Sequence, residues 1–149
     1  MVWWEVSWKP PTGDIIKNNY DASFDQGTRK SVSGILARNR EGLVMAACIF
    51  PWENIPDSMM AEARACLQAV TIAKEMGFQD ILVKGDALTI IRKLNSAEDD
   101  KLSISSLIKE IKWRGHRFRR LRFEYVPREA NKVAHGMALE GRQHENPQY

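Results

Sequence analysis

The chain contains no apolar run of about 18 residues, so no transmembrane helix is expected. Its start, MVWWEVSWKPP, carries an acid early and lacks an apolar core followed by a small-residue cleavage site, so no secretory signal is expected either. Cysteine is scarce. Only Cys48 and Cys66 occur, both in apolar, patterned segments, which predicts buried free thiols in a reducing compartment rather than a disulfide. An intracellular location follows, with nucleus and cytoplasm not distinguished. There is no internal repeat and no low-complexity tract. Excess charge is also small: a net +3 does not by itself imply a polyanionic partner.

What is present fits one globular domain. The 149 residues are 44% hydrophobic and 28% charged, enough apolar material to bury a core. Positive charge is concentrated in Lys109, Lys112, Arg114, Arg117, Arg119, Arg120 and Arg122, interrupted only by Glu110. Such a stripe either follows a phosphate backbone or forms the solvated face of a helix and its following loop.

Residues 1–13, with Trp3, Trp4, Trp8 and Pro10-Pro11, read as a lead-in, because the prolines exclude a continuing helix or central strand. Tryptophans there suggest packing onto the domain edge or a cut inside a longer protein. The domain itself is expected over 14–141, with a tail over 142–149. Strands are predicted over Ile15 to Ser23, Ser31 to Arg38 and Leu43 to Phe50, the short turns between them favouring antiparallel pairing. A helix capped by Asp57 or Ser58 ends at Gly77, with Met59, Ala63, Cys66, Leu67, Val70 and Ala73 as its buried stripe. Then follow a strand over Ile81 to Lys84, a helix over Leu88 to Leu94, the loop NSAEDD, and a helix over Ser103 to Trp113 with Leu107, Ile108 and Ile111 inward. A strand over Leu121 to Val126 and a last helix capped by Asn131 complete the chain. Helical crossovers before the last two strands argue for parallel pairing, giving a mixed α/β sheet.

Three acids are poorly placed for mere solubility. Glu62, in MMAEARACLQAV, flanks the apolar stripe, where an unpaired charge costs several kcal/mol. Asp21, in YDASF, falls near the end of the first strand, and Asp86, in VKGDAL, directly follows the fourth. Ligands gather at strand ends in open α/β sheets, and converging acids require a cation between them. A hard divalent ion with oxygen ligands, Mg²⁺ above all, meets that need. Each acid also has an ordinary reading: Glu62 pairs with Arg64 or Arg38, Asp21 is a turn acid, and Asp86 caps the helix at Leu88.

The segments WKPPTGDIIKNNYDASF, AEARACLQAV, VKGDALTIIRKL and VPREANKVAHGMAL, in that order, resemble ribonuclease H domains. The likeness is specifically to the plant ribonuclease H-like type found alone or at the end of non-LTR retroelement reverse transcriptases. It runs from about Trp8 to Gly141. It implies a ribonuclease H-like fold, a five-stranded mixed sheet with its first three strands antiparallel, flanked by helices. It also implies a site of four acids holding two Mg²⁺ ions that hydrolyses the RNA strand of RNA–DNA hybrids. Asp21, Glu62 and Asp86 match three of those acids. The fourth position, after Asn131-Lys132-Val133-Ala134, holds His135, a residue familiar at this place among the plant domains.

His135 leaves three roles open. It can be a metal ligand, which Mn²⁺ accepts better than Mg²⁺; it can carry protons through water; or it can pack on the helix face. The first reading predicts low activity in Mg²⁺ with partial recovery in Mn²⁺. Tyr125 stands where related sequences often carry a histidine that helps product leave, and Arg128 either reaches a phosphate or pairs with Glu129. Two functions remain: a metal-dependent RNA–DNA hybrid endonuclease, weakened at its fourth ligand, or a catalytically impaired nucleic-acid-binding domain. Protein partners and oligomeric state have no signal in the sequence.

Overall fold

The computed structural model describes residues 4–5, 15–96 and 104–141. Most of the lead-in, the tail, most of the NSAEDD loop and the expected helix start at Ser103 lie outside the described residues. The sheet consists of β1 (Trp4–Glu5), β2 (Ile15–Asp25), β3 (Lys30–Arg38), β4 (Val44–Trp52), β5 (Asp80–Gly85) and β6 (Arg120–Tyr125), in the spatial order β1-β4-β3-β2-β5-β6. The five long strands form the expected mixed sheet. β2, β3 and β4 pair antiparallel, whereas β5 and β6 add parallel to β2. The two-residue β1, antiparallel on the outer edge of β4, was not anticipated.

Four helices complete the chain: α1 (Ser58–Glu75), α2 (Leu88–Asn95), α3 (Ser105–Gly115) and α4 (Lys132–Gly141), the last entered through a 3-10 turn at Arg128–Asn131. Asp57 caps α1, accepting a 2.8 Å bond from the Met60 amide. The helix closes at Gly77, whose φ of 77° is the left-handed geometry a glycine adopts without a Cβ penalty. α1 buries more than one stripe. Ala61, Ala65, Ala69 and Ile72 join Ala63, Cys66, Val70 and Ala73 inside, while Met59 and Leu67 are only half-buried. Its alanines allow the helix to lie close on the sheet.

Asn18 and Asn19 look out of place in a strand but act as ties. Asn18 Nδ2 donates to the Ala69 carbonyl of α1 at 2.8 Å, and Asn19 Nδ2 donates to Asn131 Oδ1 at 3.0 Å. Successive strand residues face opposite ways, so α1 and α4 cover opposite faces of the sheet. Asn131 is not the expected helix cap. Its side chain instead reaches β2, accepting from Asn19 and donating to the Tyr20 carbonyl at 2.8 Å. That choice satisfies a buried strand carbonyl, which water does not reach.

α4 approaches β3 at Gly34. A Cβ there would lie 2.3 Å from the Ala134 carbonyl oxygen and 2.8 Å from the Ala138 nitrogen, so only glycine permits this spacing. Cys48 and Cys66 are both free and buried, and burial pushes the Cys66 thiol up to about 12. No described helix is long and apolar enough to cross a membrane.

Candidate metal centre

The parallel register of β2 and β5 ends at Asn19↔Lys84. Continued by two residues on each strand, it puts Asp21 level with Asp86. Asp21 lies within β2 rather than at its end, because the hairpin to β3 extends on to Asp25↔Lys30. It is therefore not a turn acid. Asp86 does not cap α2 either: the cap position is Ala87, without a side-chain bond. Glu62 enters from the first turns of α1. One carboxylate oxygen from each of Asp21, Glu62 and Asp86 falls within 4.8 Å of the others.

The ordinary partners for Glu62 are elsewhere. The Arg64 guanidinium lies over the Trp52 ring at 5.5 Å, and its Nε has no hydrogen-bond partner. Arg38 pairs with Lys17, four strand residues from the Asp21↔Gly34 pair, or about 13 Å along the sheet. Asp21 Oδ1, Glu62 Oε2 and Asp86 Oδ2 are all buried and lack a hydrogen-bond partner. Asp21 is fully buried. Native proteins seldom leave buried carboxylate oxygens so exposed to one another's charge.

The electrostatics follow from this crowding. Burial, then the charges of Asp21 and Asp86, push the Glu62 carboxyl well above its ordinary value; a bond from the Ala22 backbone opposes them. Asp86 is also raised, by burial and then by Asp21, with Asn131, Arg128 and His135 acting in the opposite direction. A divalent cation among the three would reverse both effects. All-oxygen donors of high negative charge suit a hard ion, so the residues fit such a ligand.

His135 does not join the three-acid group. Its Nδ1 lies 2.6 Å from Asp21 Oδ2, and the ring is partly exposed. Arg128 is largely exposed, with Nε 3.7 Å from Asp86 Oδ2; the carboxylate beside it belongs to Asp86, not Glu129. A cleft of about 440 Å³ opens beside the acids, lined by Phe24, Met59, Glu62, Asp86, Leu88 and Arg128 among others. Sequence reasoning had no signal for Phe24, Met59 or Leu88 in this role, since apolar residues in a cleft read as core.

Five of the seven basic residues of the stripe also make contacts within the molecule, while Lys109 and Arg122 are exposed. Arg114 bonds Glu110 and Thr71, at 2.8 and 2.9 Å. Lys112 donates to the Ser96 carbonyl, and Arg117 stacks on the exposed Trp113 ring at 4.8 Å. Arg119 and Arg120 flank the buried Asp80, and the Arg119 hydrogen bonds hold that carboxyl below the usual carboxylate range. Asp80 and Arg120 pair at the start of β5 and β6, the opposite end of the sheet from Asp86. Tyr125 ends β6 opposite Gly85, its side chain exposed.

A family model described as reverse transcriptase-like matches residues 19–141. No curated protein matches the chain. Among solved structures, RNase H1 from the halophilic archaeon Halobacterium salinarum superposes with a TM-score of 0.74 at 20% identity, covering 87% of this chain and 98% of that one. The N-terminal RNase H domain of a Mycobacterium tuberculosis protein gives 0.79 at 17%, over 88% and 95%. An RNase H1 isolated from compost, solved with an RNA/DNA hybrid, gives 0.75 at 16%, over 84% and 94%.

Proposed function

The chain belongs to the reverse transcriptase-like family, and from that premise we propose that it is a divalent-metal-dependent endonuclease cutting the RNA strand of RNA–DNA hybrids. The observation that carries this reading is the meeting of Asp21, Glu62 and Asp86, each with a buried oxygen that lacks a hydrogen bond, beside a cleft that Glu62 and Asp86 line. Support comes from the compost RNase H1, whose structure holds an RNA/DNA hybrid.

Asp21, Glu62 and Asp86 would hold the cation, Mg²⁺ in the first instance with Mn²⁺ as substitute. When bound, the ion supplies Lewis-acid stabilisation of the charge that develops on a phosphodiester undergoing hydrolysis. The protein's own contributions are distinct. Glu62 and Asp86 line the cleft with carboxylates that repel a bare phosphate and favour one accompanied by a cation. Arg128, exposed beside Asp86, offers a guanidinium to the phosphate backbone at the rim. His135 holds the Asp21 carboxylate in one orientation through Nδ1. With histidine in place of a fourth acid, activity in Mg²⁺ is expected to be low.

The test is cleavage of a hybrid labelled on its RNA strand, with Mg²⁺ or Mn²⁺, by the wild-type chain and by Asp86→Asn. Ion-dependent RNA cleavage that the substitution abolishes is expected. Hybrid binding without cleavage in either ion would leave instead the second reading, a nucleic-acid-binding domain impaired in catalysis, which the missing fourth acid favours. An intracellular location and descent from a plant retroelement reverse transcriptase are part of the same proposal, the buried free thiols agreeing with the former.

A further inference from the structure

Asp21 has two carboxylate oxygens, and the structure uses them differently. Oδ1 is buried without a partner, while Oδ2 lies 2.6 Å from His135 Nδ1. Two lone pairs at that distance repel, so a proton lies between the atoms. A nitrogen engaged in that bond has no lone pair left for a cation. The other ring nitrogen, Nε2, projects from the opposite side of the imidazole and away from Asp21. His135 therefore cannot share an ion with Asp21 in this arrangement.

A pair of cations in one site requires a carboxylate that bridges them and further anionic oxygens beyond the first set. Here the second oxygen of Asp21 is engaged by the imidazole. Among the described residues the clustered acids are Asp21, Glu62 and Asp86, with no fourth. Glu129 and Glu140, the acids nearest His135 along the chain, are exposed. Beside Asp86 stand two donors, Arg128 and the Asn131 amide, and the buried Tyr20 hydroxyl and Cys66 thiol near Glu62 carry no charge.

We propose that this site takes a single divalent cation, and that His135 is a positioning residue which occupies the Asp21 oxygen a second cation would need. The inference rests on the divalent-cation reading above and narrows it. Oδ2 is held by the ring, which leaves Oδ1 for the ion shared with Glu62 and Asp86, and the site is complete with one ion. Among the described residues a second ion would find no further anionic oxygen, only the Nε2 of His135, and one imidazole nitrogen does not hold a hard cation.

Mn²⁺ binding decides the matter without reference to catalysis. The full chain and its His135→Asn and His135→Asp variants are titrated with Mn²⁺ near neutral pH, and the free ion is counted by electron paramagnetic resonance. One equivalent is expected for the wild type and for His135→Asn, whose amide can still donate to Asp21. Two are expected for His135→Asp, with the spectrum of an exchange-coupled pair. Two equivalents in the wild type would overturn the proposal, even if neither variant folded. So would a single equivalent in a folded His135→Asp protein, or loss of the ion in folded His135→Asn, which would make the imidazole a ligand. No binding by the wild type would remove the divalent-cation reading itself, a result distinct from a count of two.

Discussion

Gly34 and Ala134 are in direct backbone contact: a methyl group on the glycine would sit 2.3 Å from the alanine carbonyl oxygen. Gly34 is the cross-strand partner of Asp21, and Ala134 immediately precedes His135. The height of α4 above the sheet, and hence the reach of the imidazole, is set at this one contact.

Gly34→Ala is expected to destabilise the fold by about 1–3 kcal/mol, since helix backbone rather than a flexible side-chain end must yield. It should also break the His135–Asp21 bond. Gly136→Ala, on the same helix with nothing within 4 Å of the added Cβ, is the control. It is expected to leave stability unchanged or raise it by up to about 1 kcal/mol through helix propensity. Urea denaturation of the two variants measures the contrast; equal midpoints would show that α4 adjusts freely.

The acidic cluster should make the ion-free protein less stable as pH rises. Glu62 and Asp86 hold their protons to higher pH in the fold than in the unfolded chain, whose carboxyls ionise near about 4. Between those limits the native state binds more protons, so stability is greatest at the acid end and declines toward the raised folded values. In chelator, Glu62→Gln is expected to flatten that decline and to add about 1–3 kcal/mol at neutral pH, because an unsatisfied buried charge is removed. Added Mn²⁺ should stabilise the wild type more as pH increases. Melting temperatures across the pH range, with and without the ion, check both slopes. A wild-type melting temperature that climbs from pH 4 to 8 in chelator would contradict the cluster's electrostatics.

Arg128→Ala tests the phosphate contact at the cleft rim. For hybrid cleavage, KM should rise several-fold with kcat retained, since a positioning charge acts on bound and reacting states alike. The dependence of binding on log salt should fall by about one ion. A variant with unchanged KM and reduced kcat would place Arg128 in the chemistry instead.

Much of this arrangement is legible in the sequence, and the omissions have physical causes. Helical and alternating apolar periods mark the long strands and helices, and the isolation of Glu62 beside an apolar stripe marks the site. The short β1 escapes because two residues carry no period. Asn131 has the identity of a helix cap, but a buried strand carbonyl competes for its amide and wins. The lysines and arginines from Lys109 to Arg122 look like a polyanion track. Whether a charge is free depends on acids and carbonyls far away in the chain, such as Asp80 for Arg119. The bond between Asp21 and His135 is of the same kind. No local pattern announces it, because it exists only through the close approach at Gly34.

The five-rung ladder from Ile15↔Asp80 to Asn19↔Lys84 has a thermodynamic corollary. Asp21 and Asp86 stay level only while β2 and β5 keep register, and those central strands are among the last parts of such a sheet to open. An ion captured between them would thus keep its ligands through local fraying of the sheet. Because it binds the native state alone, its addition should slow the slowest-exchanging amides of β2.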